Sequence, residues 1–179
     1  MTLLAEKKPS LEYEDIHSLP DGFYEVIDGE KIQMSPTGFL HGLIEISLSE
    51  LLKKHLSHTG YVATGEVGIL IQKNPLRIRG ADIVYITKEQ YPKPPIGILE
   101  KPPELVVEIL SPANTAKEMN AKLKDYLLIG IPHIIYVDSE NEITTVYEAN
   151  GSSKIYAFTE SFRIINSLEI KMSEILQKL

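Results

Sequence analysis

Leu105-Val106-Val107-Glu108-Ile109-Leu110 places one carboxylate inside an apolar, largely β-branched run. Pro102-Pro103 precede the run and Ser111-Pro112 follow it. A run this short, with these borders, reads as a strand buried on both faces. An ionised Glu108 there loses several kcal/mol of hydration unless a metal ion or a nearby lysine compensates it. A second carboxylate, Asp82, opens the apolar run Ile83-Val84-Tyr85-Ile86. Two acidic residues entering two core strands are the beginning of a metal site.

The chain has 179 residues, enough for one domain with a sizeable core. It has no cysteine, which excludes disulfides and thiolate metal sites and fits a reducing cytoplasm. No secretory leader pattern and no apolar run of membrane-spanning length is visible, so a cytoplasmic protein without membrane contact is expected. The formal net charge is −7. Nucleic-acid binding usually leaves a basic footprint, so any basic surface here has to be local. Divalent cations at an acidic site would reverse the sign of the field there.

Residues 1–10 read as a flexible arm and residues 11–179 as a single domain. A short helix is expected from Leu11 to Leu19. Phe23–Ile27 and Glu30–Met34 flank Asp28-Gly29, the preferred type I′ hairpin pair. That turn sets Glu25 opposite Ile32, with Phe23, Ile27 and Met34 on its face. A helix follows over Phe39–His58, with Ile44, Leu48, Leu51 and Leu52 as its apolar stripe and His41 within it. Strands are expected near Tyr61–Ala63, Val67–Gln72 and Leu76–Ile86.

Residues 91–103 hold five prolines. Because the strands on either side carry the two candidate ligands, this segment reads as an irregular crossover rather than a linker. Thr115-x-x-Glu118 has capping-box form and starts a helix that Gly130 and Pro132 stop. His133–Asp138, Glu142–Glu148 and Lys154–Phe158 read as a meander, and Ser173–Lys178 as a closing helix. On the helix after Thr115, Met119, Leu123, Tyr126 and Leu127 form the expected buried stripe. Lys122 flanks that stripe and can turn toward the sheet, whereas Lys117 and Lys124 point away.

Several of these residues have plainer readings. Glu108 suits a structural ion pair, Asp82 a turn or cap, and Lys122 a solvated helix face. Glu25 suits a pair with Arg77 or Arg79, and His41 a satisfied core histidine. His17, His55, His58 and His133 show no ligand spacing.

A wider pattern runs through the chain. It comprises Tyr24-Glu25-Val26-Ile27-Asp28-Gly29-Glu30, Met34-Ser35-Pro36, His41, Ala81-Asp82-Ile83, the stretch from Pro103 to Pro112, Lys122-x-x-x-Tyr126, Gly130-Ile131-Pro132 and Tyr136-Val137-Asp138. In this order the motifs resemble the Uma-two family of restriction-type endonucleases, within the PD-(D/E)XK superfamily, over residues 11 to 178. The resemblance implies an α/β, restriction-endonuclease-like fold: a mixed central sheet flanked by helices, with an N-terminal hairpin. It implies a phosphodiesterase acting on DNA with Mg²⁺, or alternatively Mn²⁺, held by Asp82, Glu108 and the backbone carbonyl of Ile109. Glu25 and His41 would complete the catalytic set. Ala81 stands where the superfamily has proline, and Leu110 where it has lysine. The resemblance implies that Lys122, from the following helix, supplies the missing cation. A homodimer is expected, since one small domain cannot cut both strands at once. The alternative reading is a nuclease-fold binding or regulatory module without catalysis.

Overall fold

The computed structural model describes residues 10–20, 22–165 and 168–177. The arm expected at residues 1–10 lies, apart from Ser10, outside them. A 3₁₀ turn over Tyr13–His17 replaces the expected short helix. The hairpin follows as β1 (Tyr24–Ile27) and β2 (Glu30–Gln33), with Glu25 opposite Ile32 as its turn dictates. Asp28 and Gly29 both have positive φ, at 52° and 81°, which a type I′ turn requires.

Helix α1 (Phe39–Leu56) buries His41, Ile44, Leu48, Leu52 and Leu56. Strands β3 (Gly60–Gln72) and β4 (Arg77–Thr87) form a long antiparallel pair. Strand β5 (Leu105–Leu110) is buried along nearly its whole length, as its composition requires. Helix α2 (Ala116–Leu128) starts at Thr115, whose capping box with Glu118 is fully formed. Strands β6 (His133–Asp138), β7 (Ile143–Glu148) and β8 (Ser153–Ala157) make the meander. A small hairpin, β9 (Ser161–Arg163) with β10 (Glu169–Lys171), and helix α3 (Met172–Leu176) complete the chain. That hairpin is absent from the sequence reading, because strands of three residues are too short to show a period.

Eight strands form one mixed sheet in the order β2-β1-β4-β5-β6-β7-β8, with β3 pairing β4. Strands β5 and β6 are parallel, and α2 is their crossover. One face of the sheet packs on α1, the small hairpin and α3; the other packs on α2. The proline-rich segment is pinned to the sheet, where Leu99 bridges Ile69. Among the described residues, no helix is long and apolar enough to cross a membrane.

The strand β4 sets the position of everything that follows. It pairs with β3 along one edge from Arg77 to Thr87, with a register break opposite Asp82. Its other edge meets β1 at Ile78 and β5 at Ile83 to Tyr85. Between those contacts, from Arg79 to Asp82, β1 and β5 diverge and leave a fork.

At the far end of the same pair, Gly60 lies against β4 with no room for a side chain. A β-carbon there would sit 2.1 Å from the Ile86 carbonyl oxygen and 2.4 Å from the Tyr85 ring. Backbone cannot yield as a flexible side chain can. Gly60→Ala should therefore cost at least about 1–3 kcal/mol. At roughly 2–4 °C per kcal/mol for this size, the melting temperature should fall visibly by calorimetry. An unchanged transition would mean that the β3 terminus is not fixed as described.

Candidate functional site

The fork is filled with charge. Asp82 shares parity on β4 with Val84 and Ile86, and Glu108 shares parity on β5 with Val106. Those apolar residues belong to the cluster beneath α2, so both carboxylates turn to the α2 face. The register pairs Ile83 with Val107, so one further step sets Asp82 opposite Glu108. Both are buried, at 4% and 3% exposure. Asp82 lies within β4, not at its start as the apolar run after it suggests.

Each carboxylate is held. Asp82 Oδ2 accepts the Ile109 N–H at 2.6 Å and lies 3.2 Å from His41 Nε2. Glu108 Oε2 accepts from Lys122 Nζ at 2.8 Å. The Tyr126 hydroxyl lies 2.5 Å from Glu108 Oε1 and 3.2 Å from the Gly80 carbonyl oxygen. Glu25 reaches in from β1, where its Oε2 accepts from Arg79 Nη1 at 2.6 Å and its Oε1 accepts the Gly80 N–H at 3.2 Å. Lys122 Nζ stands 3.6 Å from Glu25. The structure thus gathers Asp82, Glu108, Lys122, Glu25 and His41 in one fork, with the Ile109 backbone at its edge.

Helix α2 presents Lys122, Asp125 and Tyr126 as its buried residues, while Met119, Leu123 and Leu127 are half-buried. The apolar stripe expected from the sequence packs on the apolar cluster beneath α2, with Tyr126 fully buried, and Lys122 and Asp125 are buried on its flank, where the sheet opposite is charged. Glu25, by contrast, does not sit on an apolar hairpin face. Phe23 and Ile32 are 53% and 45% exposed, and the face carries the ion pairs of the fork.

Asp125 gives no signal in the sequence beyond its three-residue spacing from Lys122. It accepts from Arg77 Nη1 at 2.9 Å and Arg79 Nε at 2.7 Å. Arg77 also pairs with Asp28 in the hairpin turn. Glu66 was also missed; it enters the fork from a bulge in β3.

Burial pushes the Glu108 carboxyl up to about 8, against the pull of Lys122. For Lys122, burial works against the charge, and Glu108 and Glu25 outweigh it, so its pKa is raised. Both hydrogen bonds to Glu108 have it as acceptor and favour its charged form, against the effect of burial. The Tyr126 O–H donates to Glu108 Oε1, with the Gly80 carbonyl oxygen as its second acceptor in reach, and Oε2 takes the ammonium. His41 is also raised: burial opposes its charge, but Asp82 and then Glu45 and Glu66 prevail. Burial raises Glu66 as well, Lys122 opposing and Asp82 and Glu25 adding to it.

Among the described residues, no three carboxylate or imidazole side chains stand at the spacing of a ready-made metal cage. The donor set nevertheless fits a hard divalent cation. Its members are carboxylate and carbonyl oxygens, and Glu66 Oε2 is buried without a hydrogen-bond partner.

A family model described as Uma2, putative restriction endonuclease, matches residues 11–173. No curated protein matches the chain. Among solved structures, the chain is similar to a protein from Anabaena variabilis described as a putative nuclease belonging to DUF820. The two are 15% identical, the match covers 93% of this chain and 98% of that one, and the TM-score is 0.79.

Proposed function

The chain belongs to the Uma2 family, and from that premise we propose that it is a divalent-metal-dependent endodeoxyribonuclease working at the β4–β5 fork. One observation carries the reading: Asp82 and Glu108 face each other across adjacent strands with the Lys122 ammonium 2.8 Å from Glu108. Asp82, Glu108 and the Ile109 carbonyl would hold Mg²⁺ or Mn²⁺. The Ile109 N–H points at Asp82, and a strand residue's N–H and C=O leave by the same edge. A bound divalent cation supplies Lewis-acid polarisation of a phosphodiester and cancels its charge.

The chain's own residues do the rest. Lys122 offers a point charge for the phosphorane-like transition state or a donor that orients water. Glu25, clamped by Arg79 and the Gly80 N–H, fixes the second side of that ammonium. His41 holds Asp82 from the α1 side. With a net charge of −7, attraction of DNA rests on the cation and on local lysine and arginine residues. Cutting a duplex calls for two forks, so the active species is a symmetric homodimer.

Melting with and without Mg²⁺ or Mn²⁺, beside cleavage of supercoiled plasmid, tests the reading. At a metal concentration 100-fold above Kd, stabilisation should be about 2.7 kcal/mol. Glu108→Gln should remove both the metal effect and cleavage. The pH dependence has a definite sign. A carboxyl raised to about 8 from an ordinary 4.5 stabilises the fold fully only below 4.5. That contribution is lost as pH rises through about 8. Metal binding must displace the proton, so the gap between metal-loaded and chelated melting temperatures should widen from pH 6 to pH 8.5. A constant gap would argue against Glu108 as ligand.

The second reading is a nuclease-fold binding or regulatory module without catalysis. It is favoured by Lys122 and Tyr126 occupying both oxygens of Glu108. No metal effect on melting, and no cleavage with either ion across varied DNA substrates, would select it.

A further inference from the structure

Strand β3 breaks its register against β4 between Thr64 and Val67. At that bulge Gly65 has φ of 92° and Glu66 has φ of 59°. A glutamate in the left-handed region persists only where its surroundings over-determine it. Glu45 of α1 supplies part of that constraint, accepting the Gly65 N–H on Oε1 at 2.8 Å. Bulges commonly re-aim a side chain beside a site, and this one turns Glu66 across the sheet over Gly80. A β-carbon at Gly80 would lie 2.6 Å from Glu66 Oε2, so the glycine leaves the space that the carboxylate fills.

Glu66 Oε2 is buried and has no hydrogen-bond partner. Nearby, His41 is only 8% exposed and leaves Nδ1 without a hydrogen bond, 3.9 Å from Glu45. Native folds satisfy nearly all such groups, so the buried Glu66 oxygen facing this cluster asks for an absent partner. Asp82, Glu25, Lys122 and His41 are the charged groups that act on Glu66. A partner for an anionic oxygen among carboxylates is a cation. Moving toward one costs Oε2 no existing hydrogen bond.

We infer that the Glu66 carboxylate is a further ligand of the divalent cation at Asp82 and Glu108, delivered across the sheet by the β3 bulge. The inference rests on the metal-site reading above and adds to it a ligand from outside the two core strands. It also assigns Glu45 a positioning role, through the Gly65 N–H.

Mn²⁺ titration of the full chain at pH 8, followed by the paramagnetic resonance of free Mn²⁺, tests it without any cleavage assay. Wild type should bind Mn²⁺. Glu66→Gln should raise Kd at least about 10-fold, a loss that even supporting partners of a metal ligand produce. Glu66→Asp keeps the charge and the backbone tolerance but shortens the reach by one methylene. It should also weaken binding. If Glu66→Asp binds as wild type does, the carboxylate acts only through its charge, and direct ligation is overturned. If Glu66→Gln also binds unchanged, Glu66 is no part of the metal site, while the Asp82–Glu108 reading stands. If wild type itself takes up no Mn²⁺, both readings fall.

Discussion

Lys122→Ala should lower DNA cleavage by roughly 10²-fold or more, the range seen when one charge-stabilising donor is deleted from a site. The side chain is buried, and its ammonium touches Glu108 at 2.8 Å and stands 3.6 Å from Glu25. Leu110 stands two residues after Glu108, so β5 offers no lysine of its own at that end of the fork. Lys117 and Lys124, on the same helix, are exposed, and their alanine variants should cleave normally. Lys122→Arg should not rescue fully, since a planar guanidinium cannot replace a compact ammonium in a fitted site.

The same substitution has a stability signature that separates it from simple misfolding. Removing the ammonium leaves Glu108 between Asp82 and Tyr126, and its carboxyl is already raised to about 8 by burial. Without Lys122 it rises further and stays protonated instead of standing as an unpaired buried charge. A raised carboxyl stabilises the fold at low pH and loses that contribution as pH climbs through its folded value. The variant should therefore melt close to wild type near pH 6 and well below it at pH 9. Cleavage that survives Lys122→Ala would discard Lys122 as the charge-stabilising group. Equal destabilisation at both pH values would discard the account of Glu108.

The parts of this molecule that sequence exposes are those governed by local rules. Asp28-Gly29 dictates a turn, the turn dictates a register, and the register sets Glu25 opposite Ile32. Thr115 and Glu118 dictate a helix start. Glu108 is conspicuous because an acid inside an apolar strand has no local explanation, and Lys122 because one turn of helix sets it beside Tyr126. Glu66 is conspicuous in neither way. It sits between Gly65 and Val67, reads as the edge of a loop, and enters the fork only because a bulge reverses its direction. Asp125 is hidden for a related reason. Its partners Arg77 and Arg79 are more than forty residues away, and a polar residue in a helix reads as solvated until an acidic and basic fork is found opposite it. Hydrophobic periodicity finds oily faces, and the flank of α2 that carries Lys122 and Asp125 is not oily.

Asp125→Ala should be the most destabilising change outside the apolar core. Asp125 is 5% exposed and joins α2 to two arginines of β4. Breaking a buried pair by deleting one partner typically costs about 3–5 kcal/mol, because the other charge stays buried. Here both arginines keep a second carboxylate. Arg77 retains Asp28 and has an exposed fraction of 25%, while Arg79 retains Glu25. The lower end, roughly 3 kcal/mol, is therefore expected, or a fall of about 6–12 °C in melting temperature. The effect reaches the fork through a short path. Arg79 spans Asp125 and Glu25, and Glu25 stands 3.6 Å from Lys122. Once Arg79 is released on one side, Glu25 loses its fixed orientation and Lys122 loses half of its anionic seat. Cleavage by Asp125→Ala should drop at temperatures where the variant is fully folded, and Asp125→Asn, which keeps an acceptor, should fall between it and wild type. A melting temperature within about 2 °C of wild type would mean that the five-residue network of Asp125, Arg77, Arg79, Asp28 and Glu25 behaves as a solvated surface cluster, and that α2 is held to the sheet by Tyr126 and its apolar neighbours alone.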